Sequence, residues 1–166
     1  MARRTTFKLP GLRTWVDNIK NEVSKEASEQ IVRDLQVVGP FWSGTFANSW
    51  VIRSGDVRIS ATTPPPSAIL VAPKSRRYVK VEAPEPKGRK SVYLTIGNTT
   101  SYRDLAMDLD PGRRRWRGGE PPNTAPQDWY RSYVEGGNLR LTLQQATKRV
   151  AADPKVRGYK GREGQP

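Results

Sequence analysis

Residues 37–60 read VVGPFWSGTFANSWVIRSGDVRIS, and the rest of the chain is arranged around them. A helical pattern stops at Gly39-Pro40, because proline donates no hydrogen bond and biases the residue before it away from helix. A compact run of small and aromatic residues follows. A strand pattern then ends at Ser54-Gly55, and a second starts at Asp56. The stretch therefore reads as a corner from helix to sheet followed by a hairpin, with Ser54-Gly55-Asp56 as its turn. Residues 45–53 alternate loosely, with Phe46, Asn48, Trp50 and Ile52 on one side. Residues 56–62 alternate better, through Val57, Ile59 and Ala61. Trp42, Phe46 and Trp50 are four apart, but Pro40 and Gly44 argue against a helix there, so they read as packing residues of the corner.

Upstream, residues 12–38 carry the clearest periodicity. Leu12, Trp15, Ile19, Val23, Ala27, Ile31 and Leu35 recur at steps of three and four, which places them along one face of a long helix. Thr14 with Asp17 fits a capping box at its start. Residues 1–11 form a basic arm ended by Pro10-Gly11. Downstream, the triple proline 64–66 interrupts the sheet, and residues 68–72 read as a short strand. Residues 73–90 form a basic loop or extended arm in which Tyr78, Val79 and Val81 suit an edge strand. Residues 91–97 alternate as a further strand, stopped by Gly97-Asn98. Residues 101–109 fit a short helix or a loop equally. Residues 110–126 hold Arg, Pro and Gly in a long exposed loop. Residues 127–134 open a helix that Gly136-Gly137 breaks. Leu139, Leu143, Ala146 and Val150 make the apolar face of a last helix, capped by Asn138 and closed by Pro154. Residues 153–166 form a basic tail. The expected fold is one α+β domain over residues 12–152: an antiparallel sheet of three to five strands packed against a long N-terminal helix and a C-terminal helix, with long extended loops at 73–90 and 110–126.

Composition narrows the function. The 166 residues include 29 basic and 16 acidic side chains, a formal charge of +13, which draws the chain toward nucleic acid, an anionic surface or an acidic protein. An apolar fraction of 35%, with fourteen glycines and fourteen prolines, implies a modest core that oligomerisation would supplement. The chain has no cysteine and no histidine, so disulfides, thiolate metal sites and the commonest general base are excluded. No run is long and apolar enough for a membrane span, and residues 1–11 lack the apolar centre of a signal peptide, so the chain is expected to stay in the reducing compartment where it is made. Ser43 has no histidine to activate it, and Asp104, Asp108 and Asp110 lack the glycine turn and terminal glutamate of a calcium loop. No catalytic, cofactor or metal site is expected.

Two basic clusters remain. Arg113, Arg114, Arg115, Trp116 and Arg117 could neutralise phosphates with Trp116 stacked on a base, dock on an acidic protein with Trp116 as a buried anchor, or simply be solvated. Arg76, Arg77, Lys80, Arg89 and Lys90 leave the same alternatives open, as DNA or interface contacts or as a solvated hairpin.

Ser43-Gly44, Phe46 and Asn48-Ser49-Trp50, preceded by the helix of residues 12–38 and by Gly39-Pro40, resemble the segment found in small neck and tail-completion proteins of tailed bacteriophages. The family's acidic residue before the Ser/Thr-Gly pair is Trp42 here, and a loop containing prolines followed by a helix is matched by residues 123–150. What the resemblance implies is a structural virion protein of the neck or proximal tail, without enzymatic activity and assembled in the host cytoplasm. It would form a homo-oligomeric ring, usually hexameric, that joins the head connector to the tail or terminates the tail tube. Its expected partners are adjoining portal-adaptor and tail-tube or sheath proteins, with double-stranded DNA passing unspecifically through the lumen and no membrane. The alternative is a nucleic-acid-binding protein using the basic loops.

Overall fold

A computed structural model describes residues 12–41, 44–63, 77–85, 93–107, 125 and 128–157. The first helix, α1 (Leu12–Val38), has the expected length, and it begins at Leu12, so Thr14 lies inside it and does not cap it. Its buried residues are Ala27, Ser28, Val32, Leu35 and Gln36. The apolar face is therefore covered only along its C-terminal half, and Leu12 sits at the surface. Near the N-terminus, Trp15 donates its indole N–H to the carbonyl of Val156 at 2.9 Å, which ties the start of the helix to the far end of the chain. Gly39 ends the helix where space is smallest: its N–H reaches Leu35 O at 3.1 Å. A Cβ there would lie 2.7 Å from that carbonyl oxygen and 3.0 Å from the ring of Trp129.

The corner is a turn before it is a strand. Gly44 has φ +82°, a left-handed conformation that costs a residue with a Cβ. The Asn48 N–H then bonds Gly44 O at 2.9 Å, the Ser49 N–H bonds Phe46 O at 3.2 Å, and Ser49 Oγ donates to Thr45 O at 2.6 Å. Short polar side chains satisfying nearby backbone favour turns over strands. Ala47–Ser49 is accordingly one 3-10 turn, and the strand β1 (Trp50–Ser54) begins only after it.

The partner of β1 differs from the expected one. It pairs antiparallel with β2 (Leu94–Asn98), from Trp50 opposite Asn98 to Ser54 opposite Leu94, and among the described residues the sheet has these two strands, fewer than the expected three to five. Residues 56–62, read as the second arm of a hairpin, are not a strand. They follow β2 through other bonds: the Val57 N–H to Thr95 Oγ1 at 3.3 Å, and the N–H groups of Thr62 and Thr63 to Thr99 O at 2.8 and 2.9 Å. Ile59 lies against the bare backbone of Gly97, where a Cβ would come within 2.7 Å of Ile59 Cδ1. The alternation in 56–62 thus serves to lay Ile59 over the sheet and not to build a ladder. Residues 68–72 and the loop 110–124 lie outside the described residues, as do the arm 1–11 and residues 158–166.

A short helix, α2 (Arg103–Ala106), resolves the ambiguity at 101–109 over its described part. Next come α3 (Trp129–Glu135), α4 (Asn138–Ala152) and α5 (Pro154–Arg157). Gly137, with φ +96°, precedes α4, so Asn138 is its first helical residue and not its cap. Thr142, Ala146 and Val150 form the buried stripe of α4, while Leu143 is 43% exposed. The expected face holds through Leu139, which packs on the core, Ala146 and Val150; Leu143 is displaced from it, and Thr142 takes its place against α1. α4 stops at Ala152 just ahead of Pro154, as expected, and Pro154 also opens α5. Proline is tolerated at a first helical position, and the Asp153 carboxylate accepts the Lys155 N–H at 2.8 Å.

The core draws on α1, the corner, β1 and α3 through Val32, Leu35, Phe46, Trp50, Ile52, Met107, Ala125, Trp129 and Tyr133, with Leu94 and Ile96 of β2 and Leu139 of α4 packed against it. Phe46 meets Trp50 and Trp129 edge-on, at centroid separations of 5.7 and 6.1 Å. The Trp129 indole N–H is satisfied by Ala106 O at 2.8 Å. Helices and sheet therefore share one hydrophobic centre.

Candidate interaction surface

Asn48 connects the corner to the rest of the surface. Its side-chain amide donates to Arg77 O at 3.2 Å and accepts the Val79 N–H at 2.8 Å, so it pairs with an extended main chain as a neighbouring strand would. Residues 77–85 then run down α1 toward its N-terminal half. Gln36 Nε2 donates to Val79 O at 2.9 Å, Glu29 accepts the Ala83 N–H at 3.0 Å, and Lys25 meets the Glu85 carboxylate at 2.6 Å. The hydrogen bond that Lys25 donates to the Glu85 carboxylate raises the Lys25 pKa above its ordinary value. Tyr78 packs edge-on against Phe41 at 5.3 Å, and Val81 and Ala83 rest on the rim of the core. The centre of the expected free basic arm is thus folded onto its own subunit, extended but not an edge strand.

Of the basic candidates, Arg77 and Lys80 are described, and both are exposed on this strap. Lys80 pairs with Glu82 at 3.1 Å. Arg76, Arg89, Lys90, Arg113, Arg114, Arg115, Trp116 and Arg117 lie outside the described residues, as do Trp42 and Ser43 of the corner motif. The other motif residues are brought together. Gly39 ends α1, Pro40 follows it, Gly44 makes the turn, Phe46 and Trp50 enter the core, and Asn48 and Ser49 bond the backbone around them.

Three polar nodes escaped sequence reading. Asp34 accepts hydrogen bonds from Gln30 Nε2 at 2.8 Å, Thr142 Oγ1 at 2.6 Å and Tyr133 OH at 3.1 Å, linking α1 to both C-terminal helices. Burial, with the nearby Asp34 charge adding to it, pushes the Tyr133 phenol up to about 12. Asn98 is buried, donating to Phe46 O and accepting from the N–H and hydroxyl of Thr100. Arg103 donates to Ile59 O at 2.7 Å and Asn98 O at 2.9 Å, so it holds residues 56–62 against β2. The buried Ser28 and Gln36 on α1, which break its apolar face, were the one available signal that polar chain packs there.

Between α1 and α4 lies an open cleft of about 340 Å³ lined by Glu22, Lys25, Glu26, Glu29, Arg149 and Asp153 among others. Its charges are largely spent on each other and on the strap: Arg149 meets Glu26 at 3.0 Å, and Lys25 and Glu29 hold residues 83–85. No group of three or more acidic, histidine or cysteine side chains that could hold a metal ion occurs among the described residues. Charge is unevenly divided. The described residues carry 15 of the 29 basic and 12 of the 16 acidic side chains, so most of the net positive charge belongs to the remaining segments. Among the described residues Val37, Val79, Tyr93 and Leu141 are large apolar side chains more than half exposed. No family model, curated protein or solved structure matches this chain.

Proposed function

We propose that this protein is a structural component of a tailed-phage neck, a subunit of an oligomeric ring that joins the head connector to the tail or terminates the tail tube. The observation that carries the reading is the corner itself. The described residues on which the resemblance rests each have a physical task there: Gly44 takes a left-handed turn, Phe46 and Trp50 fill the core, and Asn48 and Ser49 bind the backbone. The division of charge supports it further, because a nearly balanced body with strongly basic segments suits attachment to other surfaces better than chemistry at a site. Exposed Val37, Tyr93 and Leu141 offer apolar area to neighbours.

A ring closes through heterologous contacts, one face of a subunit meeting a different face of the next. On this reading the assembly is a hexamer whose adjoining partners are portal-adaptor and tail-tube or sheath proteins, and DNA passes through its lumen without specific recognition. Segments outside the described residues extend the sheet to three to five strands, and the loop with Arg113, Arg114, Arg115, Trp116 and Arg117 docks on a neighbour. The test is whether the protein co-purifies with virions and appears as a ring at the neck by electron microscopy. Its absence from purified particles would overturn the proposal.

The concentration of positive charge outside the described residues also favours a second reading, a nucleic-acid-binding protein. Deleting residues 111–118 separates the two. The ring reading expects assembly to fail while DNA affinity hardly changes. Loss of DNA affinity, with a shallower dependence on salt, would replace it by the second.

A further inference from the structure

We infer that the outward face of α4 is a contact surface for the phosphate backbone of double-stranded DNA. Both readings above bring DNA to this protein, in a lumen or as a ligand of basic loops. The α4 face rests on that shared expectation and adds a site outside those loops. Thr142, Ala146 and Val150 of α4 turn inward. Arg140, Gln144 and Lys148 also step by four, two residues out of phase, which places them on the opposite side of the helix, and all three are exposed. Exposed Lys155 follows in α5.

The charge on this face is of one sign. No acidic residue occurs in residues 136–152, although the described residues hold twelve. The carboxylates at either end are engaged, Glu135 by Arg131 at 3.0 Å and Asp153 by the Lys155 N–H at 2.8 Å. Arg149 is held by Glu26 at 3.0 Å. Among the described residues no ion pair takes up Arg140 or Lys148. Cations without a carboxylate partner, with a glutamine between them that can donate, suit phosphate oxygens. Arg140 and Lys148 are eight residues apart, about 12 Å along the helix, or three to four phosphate steps on one strand at about 3.4 Å each. α4 has no aromatic side chain on which an unpaired base could stack, so the duplex is the form it fits. The exposed Leu141 on the same helix would serve a protein partner and not a phosphate.

The test is binding of the full chain to a fluorescent duplex of about thirty base pairs, followed from about 50 to 200 mM salt. Arg140→Gln with Lys148→Gln should make the salt dependence shallower by about two, one for each phosphate contact, at an unchanged melting temperature. Arg53→Gln with Arg58→Gln removes the same charge from exposed positions on the sheet side and should change the slope little. Arg140→Lys with Lys148→Arg, which keeps both charges, should bind as the parent does, and so should Leu141→Gln. An unchanged slope in the first pair, an equal loss in the sheet pair, or a loss with Leu141→Gln would overturn the inference. Removal of residues 111–118 judges the second reading separately. If that deletion abolishes binding and the α4 pair does not change it, the loop reading stands and the α4 face falls; the reverse result keeps the α4 face and removes the loop.

Discussion

Gly44 and Tyr133 show how single residues carry this fold. Gly44 holds φ +82°, and a Cβ there would meet Asn48 Nδ2 and the Phe41 ring at 3.3 Å. Gly44→Ala is expected to cost about 1–2 kcal/mol from the left-handed backbone alone, read as a lower urea midpoint with unchanged slope. An unchanged midpoint would show that the turn is not under this constraint. Tyr133 makes a prediction about pH. Its phenol has a folded pKa of about 12 against an ordinary value of 10.0, so the folded state holds the proton that the unfolded state gives up first. The stability it contributes is complete below pH 10 and is lost as pH rises toward 12, a difference on the order of 2–3 kcal/mol. Burial raises Tyr102 and Tyr130 in the same direction, so Tyr133→Phe should flatten the alkaline loss without abolishing it. Denaturant titrations at pH 9, 10 and 11 of both proteins check this, and parallel curves would refute it.

At the scale of elements, the sheet depends on Gly97 having no side chain. Gly97→Val would drive a branched side chain into Ile59, whose Cβ lies 3.2 Å from the position of an added Cβ. Overpacking of this kind costs about 1–3 kcal/mol, and pairing the change with Ile59→Ala should recover part of it in a double-mutant cycle. Strict additivity would mean the two residues do not meet. The same elements explain what could be read beforehand. The length of α1 was legible because its apolar steps persist for seven turns and Gly39-Pro40 stops them. The partner of β1 was not. Of the alternating Val57, Ile59 and Ala61, only Ile59 is covered, by its layer over Gly97, so the period-two pattern there did not report a ladder. Of the expected face of α4, Leu139, Ala146 and Val150 were legible, but Leu143 was not distinguishable from them by spacing, and Thr142 was missed because its hydroxyl hides a residue buried against Asp34. Of the interaction surface, the corner motif and the basic strap were visible as composition. The grip of Asn48, Gln36 and Glu29 on that strap was not, since backbone contacts leave no trace in the side chains they touch.

Across the described residues, the first and last helices and the segments between them are held by a few polar ties over one shared core. Trp15 bonds Val156, Asp34 collects Tyr133 and Thr142, and Arg103 spans Ile59 and Asn98. None of these requires a neighbour, so the described body can form from a single chain. On the proposed ring reading this sets the prediction from removing residues 111–118: a protein of normal melting temperature that fails to join the particle. A monomer that melts early would instead place that loop in the fold.

Trp129 sits against Gly39 and Phe46, some ninety residues earlier in the chain. During synthesis the helix and the corner leave the ribosome well before their aromatic lid exists. Until it arrives, Phe46 and Leu35 present a greasy surface to every other nascent chain nearby. The newborn protein is therefore most vulnerable to chaperone capture in the interval between the sheet and the third helix, and a stop codon there would leave an adhesive fragment, not a smaller working part.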